Sequence, residues 1–271
     1  FYENANINYT ALIVQPTITY KHRGLRGTLQ MPLNVCHYFG TSVANRLFFS
    51  PNLSLNWDIN SRWKIGAKMS INRQEPAVND SHAMPILVDY RTFEMSPINF
   101  YGSRSCQKMA YVSYADYAHM LFVRASVGYD TRYSNLSRTK SVDRHGMTHY
   151  STVESDNNSH GIMALVTISK RLEWLKGTFN ARCVLSQNTS SMYQNGINTE
   201  FKTGSLQTSA SLNSNVWTWL DIAYRAQHSI NALEISAMKN RTKLLIQELE
   251  LTLMPTDALN FSLSAEHYAS Y

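Results

Sequence analysis

Charge is scarce in this chain. Asp, Glu, Lys and Arg make up 16% of its 271 residues, against about a quarter in a soluble globular domain. Long apolar runs are missing as well. No stretch approaches the roughly 18 unbroken apolar residues of a membrane-crossing helix, although hydrophobic residues are 44% of the total. Cysteine is limited to Cys36, Cys106 and Cys183, far apart in sequence. That spacing excludes a CxxC zinc site and a disulfide scaffold. Basic runs are absent too: the formal net charge is +6, but Lys and Arg fall singly, so no nucleic-acid interface is expected. Scattered positive charge suits anionic lipid head groups instead.

The dominant positive signal is alternation with period two, which marks strands with unlike faces. In 62–72, Trp63, Ile65, Ala67, Met69 and Ile71 oppose Arg62, Lys64, Gly66, Lys68, Ser70 and Asn72. In 120–133, Leu121, Val123, Ala125, Val127, Tyr129 and Tyr133 oppose Arg124, Ser126, Asp130 and Arg132. In 174–186, Leu175, Phe179, Ala181, Cys183 and Leu185 oppose Lys176, Thr178, Asn180 and Arg182. Near the end, Leu259, Phe261, Leu263 and Ala265 oppose Asn260, Ser262, Ser264 and Glu266. On such a face Cys183 acts as a small hydrophobe.

About twelve such runs occur, over 9–20, 25–35, 46–59, 62–72, 106–115, 120–134, 158–169, 174–187, 198–213, 217–229, 241–254 and 258–269. They are longer than ordinary strands and match the roughly 9 to 11 residues that a tilted strand needs to cross a bilayer. Links between them alternate in length. Short ones are expected at 21–24, 60–61, 116–119, 170–173, 214–216 and 255–257, and long ones at 36–45, 73–105, 135–157, 188–197 and 230–240. That asymmetry is the mark of an up-and-down outer-membrane barrel, with tight periplasmic turns and long outer loops. The fold expected is therefore all-β, an antiparallel up-and-down transmembrane β-barrel occupying 1–271.

All five tryptophans, Trp57, Trp63, Trp174, Trp217 and Trp219, sit beside short turns. An amphipathic ring prefers the head-group level, so they are expected to form a membrane-interface girdle. Charges at mid-strand decide which face meets lipid. Lys68, Arg124, Asp130, Arg182, Arg225, Glu248 and Glu250 lie on the polar faces, and a charge facing lipid at the midplane costs on the order of 2 to 4 kcal/mol. They are expected to line a wet lumen, with Glu248 and Glu250 paired to Lys or Arg on neighbouring strands.

Several segments resemble the outer-membrane barrels of Bacteroidetes TonB-dependent receptors. These are the hairpin over 46–71 with SPNLSLNWDINSRWKIGAKMSINRQ, PILVDYRTFEMS at 85–96, YADYAHMLFVRASVGYDTRYSNL at 114–136, and LMPTDALNFSLSAEHYASY at 253–271. The resemblance covers most of the chain and places it in the C-terminal part of the barrel. It implies a barrel of about 22 strands, the size class whose lumen is plugged. It also implies energy-dependent uptake of a solute across the outer membrane of a Gram-negative cell. The expected partners are membrane lipids and lipopolysaccharide, a plug domain, an energy-coupling protein and a surface-exposed protein. No plug domain, energy-coupling box or final aromatic-ended strand is present in these residues, so the chain is expected to be part of a longer polypeptide. The alternative is an outer-membrane barrel serving as a structural or scaffolding subunit of a surface complex.

No reaction, cofactor or metal is expected. His145 and His149 lie four apart with Asp143 and Asp156 nearby, but in a Ser/Thr/Asn-rich segment that reads as a solvated loop. His160, His228 and His267 fall on separate strands, and no GxSxG elbow occurs. An outer-membrane enzyme would need Ser and His gathered at one end of the lumen. A soluble β-sandwich would need the apolar stripes to face each other across a dry core.

Overall fold

The computed structural model describes residues 8–39, 44–74, 82–96, 103–194, 197–235, 238–256 and 259–271. The fold is all-β. Its strands are β1 (Asn8–Val14), β2 (Thr17–His22), β3 (Leu25–Gln30), β4 (Leu33–Phe39), β5 (Ala44–Phe49), β6 (Asn52–Asp58), β7 (Trp63–Gln74), β8 (His82–Asp89), β9 (Thr92–Ser96), β10 (Ser103–Asp116), β11 (Leu121–Val142), β12 (Thr148–Leu172), β13 (Gly177–Gln194), β14 (Ile197–Trp217), β15 (Leu220–Ile235), β16 (Met238–Thr256) and β17 (Leu259–Ser270). A one-turn 3-10 helix, Glu173–Leu175, links β12 to β13. No helix among the described residues is long and apolar enough to cross a membrane.

Twelve strands form one antiparallel sheet in the order β17-β16-β15-β14-β13-β12-β11-β10-β7-β6-β3-β2. Each strand lies beside its predecessor in that series, which is the up-and-down order expected from alternating links. The sheet is an open wall rather than a closed ring: β2 and β17 are its outer strands. The substantial contacts between elements run between sheet neighbours, and among the described residues no second sheet stacks on the first. A sandwich core is therefore absent among the described residues. Among the described residues the buried apolar side chains are Cys36 and Phe48.

The runs expected at 9–20, 25–35 and 46–59 are each divided by a proline. Pro16 separates β1 from β2, Pro32 lies between β3 and β4, and Pro51 between β5 and β6. Proline has no N–H to give the ladder, so regular pairing stops there. The carbonyls still accept: Met31 N–H donates to Pro16 O at 3.0 Å, Ser50 N–H to Pro32 O at 3.1 Å and Ile71 N–H to Pro51 O at 2.9 Å. Register also passes through unchanged, with Thr17 opposite Gln30 below the line and Val14 opposite Leu33 above it. The three-stranded sheet β1-β4-β5 is thus the upward continuation of β2, β3 and β6.

Three of the expected long links are mostly strand. The link at 135–157 shrinks to 143–147, because β11 reaches 22 residues and β12 reaches 25. β13 and β14 run to Gln194 and Ile197, and β15 and β16 to Ile235 and Met238. In the upper parts of β11 and β12 both faces are mostly polar, so the ladder continues there where the period-two signal ends. Within 73–105 the chain forms the hairpin of β8 and β9, and β9 joins β12 in parallel through Thr148 opposite Thr92 and Tyr150 opposite Glu94.

Candidate functional site

The registers sort every side chain of the wall onto one of two faces. One face is largely apolar: Trp57, Ile65, Val112 and Ala125 follow one another as cross-strand partners, and so do Val166, Cys183 and Thr208 beside Ala125, while Lys108, between Met69 and Tyr129, and His228, beside Thr208, are polar members of the same face. Much of it is uncovered, with Ile65 at 43% exposure and Val127 at 53%. The tryptophans lie at the short-turn end. Trp57 and Trp63 lie at and beside the turn 59–62, Trp174 is in the 3-10 turn, and Trp217 ends β14 while Trp219 lies in the β14–β15 turn, their rings stacked at 5.7 Å. Trp63 packs on Tyr114 at 4.8 Å.

Lys68, Arg124, Asp130, Arg182, Arg225, Glu248 and Glu250 all share the opposite, polar face. The structure brings some of them together and keeps others apart. Ser113, Arg124, Thr167, Arg182 and Ser209 form one row of successive partners across β10 to β14. Two residues nearer the short turns, Ser169, Asn180, Ser211, Arg225 and Glu248 form a second row. The three arginines border a concavity of about 450 Å³ whose other polar lining is Ser113, Thr167, Ser169, Asn180, Ser209 and Ser211.

Each guanidinium has a different setting. Arg225 donates to Glu248 at 2.9 Å, the pairing expected for that glutamate. Arg124 lies 4.8 Å from the centre of the Tyr111 ring, a cation–π contact. Tyr111 is held in turn by a hydrogen bond from its hydroxyl to Asn56, and its ring covers Gly66, where any Cβ would collide with it. Arg182 has no ion-pair or hydrogen-bond partner among the described residues. Beyond Arg225 the wall turns acidic, with Glu248 opposite Glu266 and Glu250 opposite Ser264. Asp130 stands apart from the arginines and leans over Gly161. Lys68 lies farther along the wall, opposite Met109 and Ser54.

The supporting trio Tyr111, Asn56 and Gly66 was not foreseeable as a unit, since it spans three strands whose register the sequence does not state. A glycine facing an aromatic across a strand pair is the one local cue.

The histidine-bearing turn does not assemble a ligand set. Asp143 accepts the N–H groups of His145 at 2.8 Å and Met147 at 2.9 Å, and His149 Nε2 lies 3.3 Å from its other oxygen. The Met147 N–H above all, with His149 and His145, holds the Asp143 carboxyl below the usual carboxylate range. Asp156 instead accepts the Tyr133 hydroxyl at 2.6 Å. Among the described residues no group of three His, Cys, Asp or Glu side chains is placed to hold a metal. His160, His228 and His267 remain on β12, β15 and β17, none beside another. Comparison with protein-family models and with curated proteins finds no match for this chain.

Proposed function

We propose that this chain is wall of an outer-membrane β-barrel of the TonB-dependent receptor type. Its polar face lines the lumen through which a solute passes, and its long hairpins stand at the cell surface. The observation that carries the reading is the uncovered, predominantly apolar face that runs across twelve antiparallel strands, interrupted by Lys108 on β10 and His228 on β15. In water such a face would demand a partner surface; in a bilayer the acyl chains supply it.

The dimensions agree. From Trp57 through Leu55, Leu53, Pro51 and Phe49 to Leu47 the outward positions span ten steps along the strand direction. Ten steps cover about 33 Å, and a tilt of about 45° brings that near the roughly 25 Å apolar band of such barrels. The tryptophans then mark the periplasmic interface. The unpaired outer edges of β2 and β17 call for further strands, because an open edge in lipid leaves backbone groups unsatisfied.

A gel of the native protein from its source membranes, run in SDS with and without boiling, tests this. The expected result is a heat-dependent mobility shift with a boiled mass far above the 30.9 kDa of this chain. A shift at about 30.9 kDa would keep the barrel and replace the receptor by a structural wall. No shift, with the protein in the soluble fraction, would remove the barrel.

A further inference from the structure

The concavity bordered by Arg124, Arg182 and Arg225 gathers three cations on the polar face, and its lining contains no carboxylate. We infer that it is a binding site for a solute carrying at least two oxyanion groups, carboxylate, sulfate or phosphate, on its way through the lumen. The inference rests on the barrel reading for its direction of access, and on the geometry below for its chemistry.

The arginines occupy alternate strands, β11, β13 and β15, with the hydroxyls of Thr167 and Ser169 on β12 and Ser209 and Ser211 on β14 at the positions between them. Neighbouring strands lie about 4.8 Å apart, so Arg124 and Arg182, on one row, are roughly 9.6 Å apart at the backbone. With their strands that far apart the two guanidiniums can each hold an oxyanion of their own, and the recess of about 450 Å³ has room for more than one tetrahedral anion. They suit two anionic groups on one molecule. A guanidinium fork takes an oxyanion through two parallel hydrogen bonds. Thr167, lying between Arg124 and Arg182, and Ser209 and Ser211 beyond Arg182 supply further donors to ligand oxygens.

The three cations are not equally available, and that ranks them. Arg182 sits between Thr167 and Ser209 with no protein acceptor among the described residues. Arg124 is steered by the Tyr111 ring and has no carboxylate partner among the described residues. Arg225 already serves Glu248 through one nitrogen. Arg182 is therefore the principal anchor, Arg124 the second, and Arg225 a weaker contributor that also holds off Glu248. The acidic stretch beginning at Glu248 sets the limit of the site on that side.

The test is equilibrium binding to the purified full-length protein in detergent, with three probes: a disulfated disaccharide, the same disaccharide unsulfated, and inorganic sulfate. The expected order is disulfated disaccharide well above sulfate, with no binding of the neutral sugar. R182Q should weaken the disulfated probe by roughly tenfold, the scale of one lost charge-assisted pair. R124Q should weaken it by somewhat less. R182K should recover only part, since it keeps the charge and loses the fork. K68Q, remote on the same face, should leave binding unchanged.

Equal loss in K68Q and R182Q would mean a diffuse field and overturn the site. So would equal affinity for sulfate and the disulfated probe, or binding that ignores R182Q. The mobility of the same samples on unboiled gels reports separately on the barrel. A heat-modifiable protein without the binding sinks only the site, whereas binding without heat modification sinks the lumen reading.

Discussion

Val166→Arg is expected to destabilise the protein by about 2 to 4 kcal/mol, and Gln207→Arg by less than about 1 kcal/mol. Both positions are solvent-accessible in the isolated wall, Val166 at 40%, so a soluble sheet would tolerate the two changes alike. The wall places them on opposite faces. Val166 lies between Ala125 and Cys183 near the middle of the apolar belt. Gln207 lies between Val184 and Ser229 on the polar face. In a bilayer the first arginine meets acyl chains and must drag water or head groups inward to keep its charge solvated. The second meets the wet interior. Denaturant unfolding from lipid vesicles measures the two differences directly. Equal, small effects would place water on both faces.

The second large effect is expected at Gly24, where Gly24→Val should cost roughly 2 to 4 kcal/mol from two separate sources. The β2–β3 turn is two residues long, with Arg23 at φ 42° and Gly24 at φ 82°. This is the doubly left-handed hairpin turn whose twist matches the flanking strands. A β-branched residue is strained there. Space is the other source. Asp58 N–H donates to Gly24 O at 3.0 Å, which draws β6 against the turn. A Cβ on Gly24 would then lie 2.6 Å from the Asp58 carbonyl oxygen, a backbone atom. Asp58 is itself fixed by Arg26 at 2.9 Å and Lys64 at 3.6 Å. Gly24→Asn separates the two sources, since asparagine accepts the left-handed conformation but still carries a Cβ. It should fall between wild type and valine in the same unfolding measurement. A valine variant as stable as wild type would mean that the turn does not pack against β6.

The twelve strands of the wall were legible because two unlike surroundings impose two unlike faces, and Ile65 against Lys64 or Val123 against Arg124 records that difference residue by residue. Where the difference ends, so does the signal. The upper parts of β11 and β12 carry Ser, Thr and Asn on both faces, and the pairing slips between Ser134 and Leu136. A slip of one residue exchanges the faces, which hides a strand from any count of alternation. β8 and β9 leave no alternation for a similar reason: Pro85 and the short Asp89–Thr92 turn break the pattern, and β9 finds its partner in β12, far along the chain. At the candidate site, parity alone placed all seven charged residues on one face. It did not show that Arg124 and Arg182 share a row while Lys68 and Asp130 stand elsewhere. Neighbourhood across strands is set by register, and register is written in turns and bulges rather than in face polarity.

Labelling along β12 tests the central claim most directly. Single cysteines would replace residues 162 to 168 one at a time, with Cys36, Cys106 and Cys183 changed to alanine, and a fluorophore on each would be read in lipid vesicles. Labels at Ile162, Ala164, Val166 and Ile168 should be quenched by brominated acyl chains, and labels at Met163, Leu165 and Thr167 by aqueous iodide. Quenching by iodide at all seven positions, or no alternation at all, would contradict the two-faced wall in a membrane.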